Sequence, residues 1–105
     1  AYLHGMPYYI WASFYGSAPS FAGGDLQKAD AMFKKAIEFG PMMLNYRRTR
    51  ADILYTKTGN REGFIRDMEW VLLQDPHKAP LGYPLNIFIQ RKAKAGLANV
   101  DQYFK

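Results

Sequence analysis

The feature that most constrains this chain is a helix-like segment that occurs twice, with an offset of 35 residues. Each copy begins at a glycine followed by Asp or Asn, whose short side chains cap helix N-termini, and ends before a proline, which cannot continue a helix. The equivalent pairs are Gly24 and Gly59, Asp25 and Asn60, Ala29 and Phe64, Phe33 and Met68, Ala36 and Val71, and Pro41 and Pro76. Such a period is typical of helical solenoids.

The composition is that of a folded domain without cysteine chemistry. The chain has 105 residues, of which 49% are hydrophobic and 22% charged. It has no cysteine, which excludes disulfides, thiolate metal sites and cysteine nucleophiles within it. The net charge is +5, and the positive residues gather at Arg47, Arg48 and Arg50 and at Arg91, Lys92 and Lys94. We interpret both clusters as solvated helix faces and predict no nucleic-acid binding.

Hydrophobic periodicity predicts five helices. They span about residues 6–17, 25–39, 42–58, 61–74 and 84–103. The first also contains aromatic residues that favour strands, but the repeat requires a helix before Gly24. The apolar positions of 42–58 do not form a single stripe, so we expect this helix to contact neighbours on more than one side. Gly40 is predicted to end the second helix as a left-handed C-cap.

The predicted fold is all-α, a tetratricopeptide-like α-α superhelix in a single helical-repeat domain over residues 1–105. Repeat one covers about residues 6–41, repeat two about residues 42–76, and a C-terminal capping helix about residues 84–104. A fragment of a longer solenoid is an alternative interpretation. No apolar run approaches the roughly 18 residues that a membrane-spanning helix needs.

Several short motifs follow one another along the chain. They are Tyr15-Gly16-Ser17 with Pro19, Gly23-Gly24-Asp25 with Ala29 and Phe33, Gly59-Asn60-Arg61 with Phe64, Asp75-Pro76, and Asn86 with Gln90-Arg91-Lys92-Ala93, Leu97, Asp101 and Phe104. In this order they resemble the T-component family of tripartite ATP-independent periplasmic (TRAP) transporters. The resemblance implies a periplasmic lipoprotein of tetratricopeptide-like hairpins that forms a trimer, docks a substrate-binding protein and handles a hydrophobic ligand through a cleft and pore.

The chain departs from this family in two ways. It is shorter than the resemblance implies, and it lacks the lipidated cysteine. The resemblance implies a location in the periplasm. Membrane association through an N-terminal lipid anchor, which is missing from this chain, is the alternative.

We predict no catalytic residue, no metal ligand and no cofactor, and hence no enzyme. His4 and His77 lie in predicted loops without a second ligand at metal spacing. Asp67 and Glu69 are two residues apart on a helix, so they point to different faces and cannot act as a catalytic pair. Glu62 and Arg66 are four residues apart on the same predicted helix. We predict that they form a surface ion pair.

The aromatic cluster of the first predicted helix is the main candidate for a binding surface. In repeat solenoids the first helix of each pair tends to line the concave face, which predicts a concave, aromatic and weakly basic surface. Core packing is the alternative interpretation of the aromatic residues. The residues predicted for the ligand or partner surface are Tyr8, Trp11, Phe14, Tyr15, Tyr46, Arg50, Ile53 and Lys57.

The leading functional hypothesis is a non-catalytic accessory protein of a periplasmic, TRAP-type uptake system. It would bind a substrate-binding protein, an apolar solute or both. The alternative is a generic tetratricopeptide-like scaffold subunit whose surface is covered permanently inside a larger complex. A homo-oligomer is compatible with either hypothesis.

Overall fold

Six helices make up the protein in the computed structural model, which describes residues 2–104. They are α1 (Met6–Ser17), α2 (Leu26–Phe39), α3 (residues 44–58), α4 (Arg61–Leu73), α5 (Tyr83–Ala98) and α6 (Val100–Tyr103). Short 3₁₀ turns lie at Tyr2–Gly5 and Ser20–Ala22. The described residues contain no strand, so the predicted all-α fold is confirmed.

The first helical pair, α1 and α2, begins as the sequence predicts. Pro7 occupies the first turn of α1, where its missing N–H costs nothing. The Asp25 carboxylate accepts hydrogen bonds from the backbone N–H groups of Gln27 (3.0 Å) and Lys28 (3.1 Å), and so caps α2. The two helices pack along each other through Ala12, Ala29 and Phe33, which are fully buried.

Helix α3 lies at the centre of the molecule and contacts α1, α2, α4 and α5. It begins as α-helix (Leu44–Thr49), continues as π-helix (Arg50–Tyr55) and ends as α-helix (Thr56–Thr58). In the π-helical segment the Thr56 N–H donates to the Ala51 carbonyl five residues earlier. The expectation that this helix contacts neighbours on several sides is confirmed.

Three buried clusters form the core, and α3 contributes to each of them. Leu44 and Ala51 belong to the largest cluster, with residues of α4 and α5. Leu54 packs with the residues between α1 and α2, and Tyr46 packs with Ala36 and Met43. Helix α3 thus links the buried residues of both halves of the chain, and Leu81 in the loop after α4 also packs against two of the clusters.

A loop joins α4 to α5. Two polar side chains of α5 donate hydrogen bonds to carbonyl groups of this loop and of the end of α4. The fully buried Asn86 amide donates to the carbonyls of Pro76 (2.9 Å) and Ala79 (3.0 Å). The Gln90 amide donates to the carbonyls of Val71 (3.0 Å) and Gln74 (2.9 Å) at the end of α4. These bonds give the Pro76 and Gln74 carbonyls a side-chain partner, and they add to the long backbone bonds that the Val71 and Ala79 carbonyls accept from Gln74 and Gly82 (3.4 Å each).

Three predicted helix boundaries need correction. Helix α3 begins at Leu44 and not near residue 42, because Gly40 to Met43 form a turn closed by a 3.1 Å backbone hydrogen bond. The Gly40 backbone is not left-handed (φ −137°); glycine is needed there because a Cβ would overlap the His4 carbonyl oxygen. The predicted last helix is interrupted at Asn99, whose side chain bonds the Ala95 carbonyl (2.9 Å).

Positions related by the 35-residue offset have similar environments. Asn60 caps α4 as Asp25 caps α2, by accepting from the Gly63 N–H at 2.9 Å. Three further pairs are fully buried: Ala29 and Phe64, Phe33 and Met68, and Ala36 and Val71. Pro41 and Pro76 both lie beyond their helices. The division into two tetratricopeptide-like repeats and a capping helix stays a prediction.

Alanine at Gly24 and at Gly59, which are equivalent in the repeat, should destabilise the protein for different reasons. At Gly24 a Cβ would overlap the Ala18 carbonyl oxygen, so the preceding turn must move, and we expect a loss of about 3 kcal/mol. At Gly59 a Cβ would meet no atom within 4 Å beyond its chain neighbours, but φ is +71°, which strains residues other than glycine. We therefore expect the free energy of unfolding to fall by about 1 kcal/mol. Urea unfolding followed by circular dichroism measures both losses.

Asparagine distinguishes the two explanations. Because Asn tolerates the left-handed region, Gly59→Asn should be less destabilising than Gly59→Ala, whereas Gly24→Asn should be at least as damaging as Gly24→Ala. Equal losses at both positions would contradict this assignment.

Candidate functional site

The residues predicted for the binding surface do not line a single depression. Tyr8 and Trp11 line a groove between α1 and α2, and Arg50 lines a separate cleft between α3 and α4. Tyr15 and Lys57 share a shallow depression at the end of α1. Within the described residues, the eight predicted residues are therefore not brought together in one depression.

The groove between α1 and α2 is aromatic and apolar. It has a volume of about 470 Å³ and is lined by Pro7, Tyr8, Trp11, Met32 and Phe39. The Tyr8 ring stacks on the Phe39 ring with a centroid distance of 5.5 Å. This groove, called the aromatic groove below, is open to solvent on one side, since 54% of the Trp11 surface is exposed.

The walls of the aromatic groove are held by further aromatic contacts. Trp11 stacks on Tyr15 at 5.7 Å and meets the edge of Phe14 at 6.1 Å. The Lys35 ammonium lies 5.6 Å from the centre of the Tyr8 ring and places a positive charge beside the groove. The groove therefore combines preformed apolar walls with a cationic margin.

The outer face of α1 beside the groove is unusually apolar. Ile10 is 60% exposed and Phe14 is 43% exposed. Phe14 lies four residues after Ile10 and three residues after Trp11, so it neighbours both side chains on the helix surface, and we call these three residues the α1 strip. Exposed apolar residues that lie together in this way are typical of interaction sites.

Tyr46 does not belong to an exposed surface, contrary to the prediction. It is fully buried, its ring stacks on Tyr9 at 4.9 Å, and its hydroxyl donates to the His4 carbonyl at 2.7 Å. Burial, followed by the nearby Tyr9, raises the pKa of the Tyr46 hydroxyl above its ordinary value of 10.0. Its role is structural, because it joins α3 to the segment that precedes α1.

Ile53 and Lys57 of α3 contact α1 at Gly16. A Cβ at Gly16 would lie 3.2 Å from the Ile53 Cδ1 atom, so glycine permits the close approach. The Lys57 ammonium donates to the Gly16 carbonyl. Both side chains therefore have a structural role at the contact between α1 and α3.

Arg50 is bound to Asp67 of α4 by two hydrogen bonds. Its Nε and Nη2 donate to the two carboxylate oxygens at 2.7 Å each, and the side chains are 15% and 5% exposed. Burial lowers the pKa of Arg50, but the hydrogen bonds and charge of Asp67 outweigh that effect and raise it. The pair joins α3 to α4 and fixes one wall of the second cleft.

This second cleft, the arginine cleft, has a volume of about 370 Å³. It is lined by Arg47, Arg50, Tyr55, Gly63, Arg66, Asp67 and Trp70. The Arg47 guanidinium lies 3.8 Å from the centre of the Trp70 ring, and burial lowers the pKa of Arg47 against the opposing effect of Asp67. Arg66 forms no ion pair with Glu62 among the described residues, so that predicted pair is wrong.

Sequence reasoning missed several residues of these two sites. Met32 and Phe39 lie at the margin of the apolar face of α2, and only the position of α1 places them in the groove. Asp67 carried a signal in the sequence, because it follows Phe64 by three residues and precedes Met68 on the apolar face of α4. A carboxylate on a buried face requires a partner, and that partner is Arg50.

Two observations bear on other classes of function. Within the described part of the chain, no helix is both long and apolar enough to span a membrane. Over the same residues, no three His, Asp or Glu side chains come together in a way that could hold a metal ion. His4 and His77 are both exposed, and His77 stacks on Tyr83 at 4.2 Å.

Comparison with known proteins identifies a family. The family model for the TRAP transporter T-component matches residues 1–104. An uncharacterized protein from Treponema pallidum (strain Nichols) is 29% identical over 105 residues, which are 99% of this chain and 32% of that protein. The chain thus spans about a third of the length of this relative.

The Arg50–Asp67 pair should be much more important for stability than an exposed pair. Asp67→Asn leaves a buried guanidinium without its counter-charge, and we expect the free energy of unfolding to fall by about 3 kcal/mol. The matched control is Asp101→Asn, which removes the exposed ion pair to Arg61 and should cost less than about 1 kcal/mol. Urea unfolding measures both, and similar losses would contradict the assigned role.

Stability should decrease in alkaline solution because of Tyr46. Its pKa is raised in the folded state, so the unfolded state loses the hydroxyl proton first and stability falls as the pH rises above about 10. Tyr46→Phe should cost about 1 kcal/mol at neutral pH, from the lost hydrogen bond to His4, and should reduce this alkaline dependence.

Thermal melts between neutral pH and pH 11 test the alkaline dependence. Tyr83→Phe, at an exposed tyrosine, is the control and should leave the alkaline loss of stability unchanged. An identical pH dependence in the wild-type protein and in Tyr46→Phe would refute the contribution of Tyr46.

Proposed function

Since the chain belongs to the TRAP transporter T-component family, we propose that it is a non-catalytic accessory protein of a periplasmic uptake system that holds an apolar solute in the aromatic groove. The observation that carries the proposal is the apolar lining of this groove by Pro7, Tyr8, Trp11, Met32 and Phe39. The groove has the size of typical small-molecule sites, which are about 300–1,000 Å³.

Preformed walls favour binding of a solute to the groove. The rings of Tyr8 and Trp11 are already stacked on Phe39 and Tyr15, so little side-chain freedom is lost when a solute enters. Each 100 Å² of apolar surface that leaves water contributes about 2.5 kcal/mol before the costs of association are subtracted. An alkyl or aryl group is therefore the chemistry that fits this site.

We further propose that the substrate-binding protein of the system docks on the α1 strip. Ile10 and Phe14 are exposed on the same helix that supplies Trp11 to the groove. A partner that covers this strip also closes the open side of the groove, which would keep an apolar solute from water during its transfer. Docking and solute handling thus use adjacent parts of one helix.

A scaffold subunit is the second candidate function. Phe21 is 92% exposed in the turn after α1, and Leu73 is 82% exposed at the end of α4. Both lie outside the aromatic groove, and their exposure fits a chain whose surface is covered by other subunits. In that case the α1 strip would be covered permanently and the groove would not take up a free solute.

A neutral apolar dye tests the solute site. N-phenyl-1-naphthylamine should bind the wild-type protein with a rise in dye fluorescence, and Trp11→Ala should weaken binding by about tenfold, because it removes one aromatic wall. Phe21→Ala is the control, since it removes a more exposed aromatic side chain from outside the groove.

Met32→Glu provides a second test that does not truncate an aromatic wall. A carboxylate in the groove should abolish dye binding, because an apolar ligand cannot compensate for the buried charge. Circular dichroism and thermal melts verify that each variant is folded. Equal dye affinity of the wild type, Trp11→Ala and Met32→Glu would refute the solute site and leave the scaffold function.

A further inference from the structure

We propose that the outer face of α5 binds a membrane surface that is rich in anionic phospholipids. This surface, called the α5 face below, consists of Leu85, Phe88, Arg91 and Lys92, and all four residues are exposed. The α5 face shares no residue with the aromatic groove or with the α1 strip. The inference is therefore independent of the solute site and of the docking of a substrate-binding protein.

Helical geometry brings the four side chains together around Phe88. Leu85 precedes Phe88 by three residues, and Arg91 and Lys92 follow it by three and four, so each is its neighbour on the helix surface. The Lys92 ammonium lies 5.4 Å from the centre of the Phe88 ring. Ile89, on the opposite side of α5, is buried in the largest core cluster. The packing of α5 against the core thus directs the α5 face outwards.

Large apolar side chains are exposed in the first half of α5. Phe88 is 52% exposed and Leu85 is 45% exposed. Tyr83, the first residue of the helix, is 46% exposed, and its ring stacks on His77. Side chains of these types bury their apolar parts at the boundary between lipid headgroups and acyl chains, where a tyrosine hydroxyl keeps its contact with water. Neither Leu85 nor Phe88 lines any of the clefts described above, so a flat partner suits this face better than a small solute.

The second half of α5 is basic. Arg91, Lys92 and Lys94 are exposed, and none of them forms an ion pair among the described residues. Asp52 of α3 is close enough to Lys92 to interact with its charge, and burial raises the pKa of Asp52 against the opposing charges of Arg48 and Lys92. The Asp52 carboxylate is already paired with Arg48 at 2.7 Å. The cations of α5 therefore keep their excess charge.

This combination of side chains favours a membrane over an acidic protein. Each Lys or Arg near an anionic bilayer strengthens binding by about fivefold. The long stems of Arg91 and Lys92 let their charged groups reach lipid phosphates while Phe88 and Leu85 enter the acyl boundary. An acidic protein surface supplies the opposite charge, whereas a bilayer supplies it together with a continuous apolar layer directly beneath.

Flotation of the protein with lipid vesicles tests the proposal. Vesicles with about 30% phosphatidylglycerol in phosphatidylcholine should bind the protein about tenfold more tightly than phosphatidylcholine vesicles, and added salt should weaken this binding. The double variant Arg91→Gln, Lys92→Gln should lose about tenfold in affinity for the anionic vesicles. The matched control is the double variant Arg66→Gln, Lys28→Gln, which removes the same two residue types from exposed positions outside α5 and should lose less than about threefold.

Phe88→Ala tests the apolar part of the contact. It should weaken binding to the anionic vesicles by about tenfold, because less apolar surface enters the acyl boundary. Phe21→Ala removes a ring that is 92% exposed outside the α5 face and should change the affinity less than about twofold. All substituted side chains are exposed, and circular dichroism verifies that each variant is folded.

Several outcomes would overturn the proposal. They are no binding to the anionic vesicles, equal affinity for both kinds of vesicle, and equal losses in the two double variants. A loss in Trp11→Ala as large as that in Phe88→Ala would place the membrane contact on the α1 strip instead. Binding of soluble polyglutamate as tight as that of the vesicles, and unaffected by Phe88→Ala, would assign the α5 face to an acidic protein.

Discussion

The structure depends on the burial of α3 between the two halves of the chain. This helix supplies residues to all three core clusters, so that neither α1 with α2 nor α4 with α5 has a complete core without it. Its fully buried Tyr46 bonds the segment before α1, and its Arg50 bonds α4. A central helix with neighbours on several sides cannot show a single apolar stripe, and this one does not.

The bond between Arg50 and Asp67 illustrates how packing and function are joined at this centre. Burial of two charges is costly, and it is tolerated here because both oxygens of the carboxylate are satisfied by the guanidinium group. Arg47 and Arg66 line the same cleft beside this pair. The contact that joins the two helices thereby also fixes one wall of the cleft.

The two candidate sites differ in chemistry and in position. The aromatic groove lies between α1 and α2, with the apolar α1 strip beside it, and the arginine cleft lies between α3 and α4. The two sites share no lining residue.

The sequence by itself determined the all-α fold, most helix boundaries and the family. Helix caps such as Asp25 and breakers such as Gly59 act locally, and the buried positions of α2 and α4 follow the helical period, so these features can be read without a structure. Only the tertiary structure decided the surfaces. Tyr46, predicted to be exposed, is buried because the segment before α1 covers it, and Asp67 meets Arg50 because α3 and α4 pack face to face. Periodicity identifies the buried side of a helix, but the neighbouring helices determine which remaining side chains are covered and which of them meet.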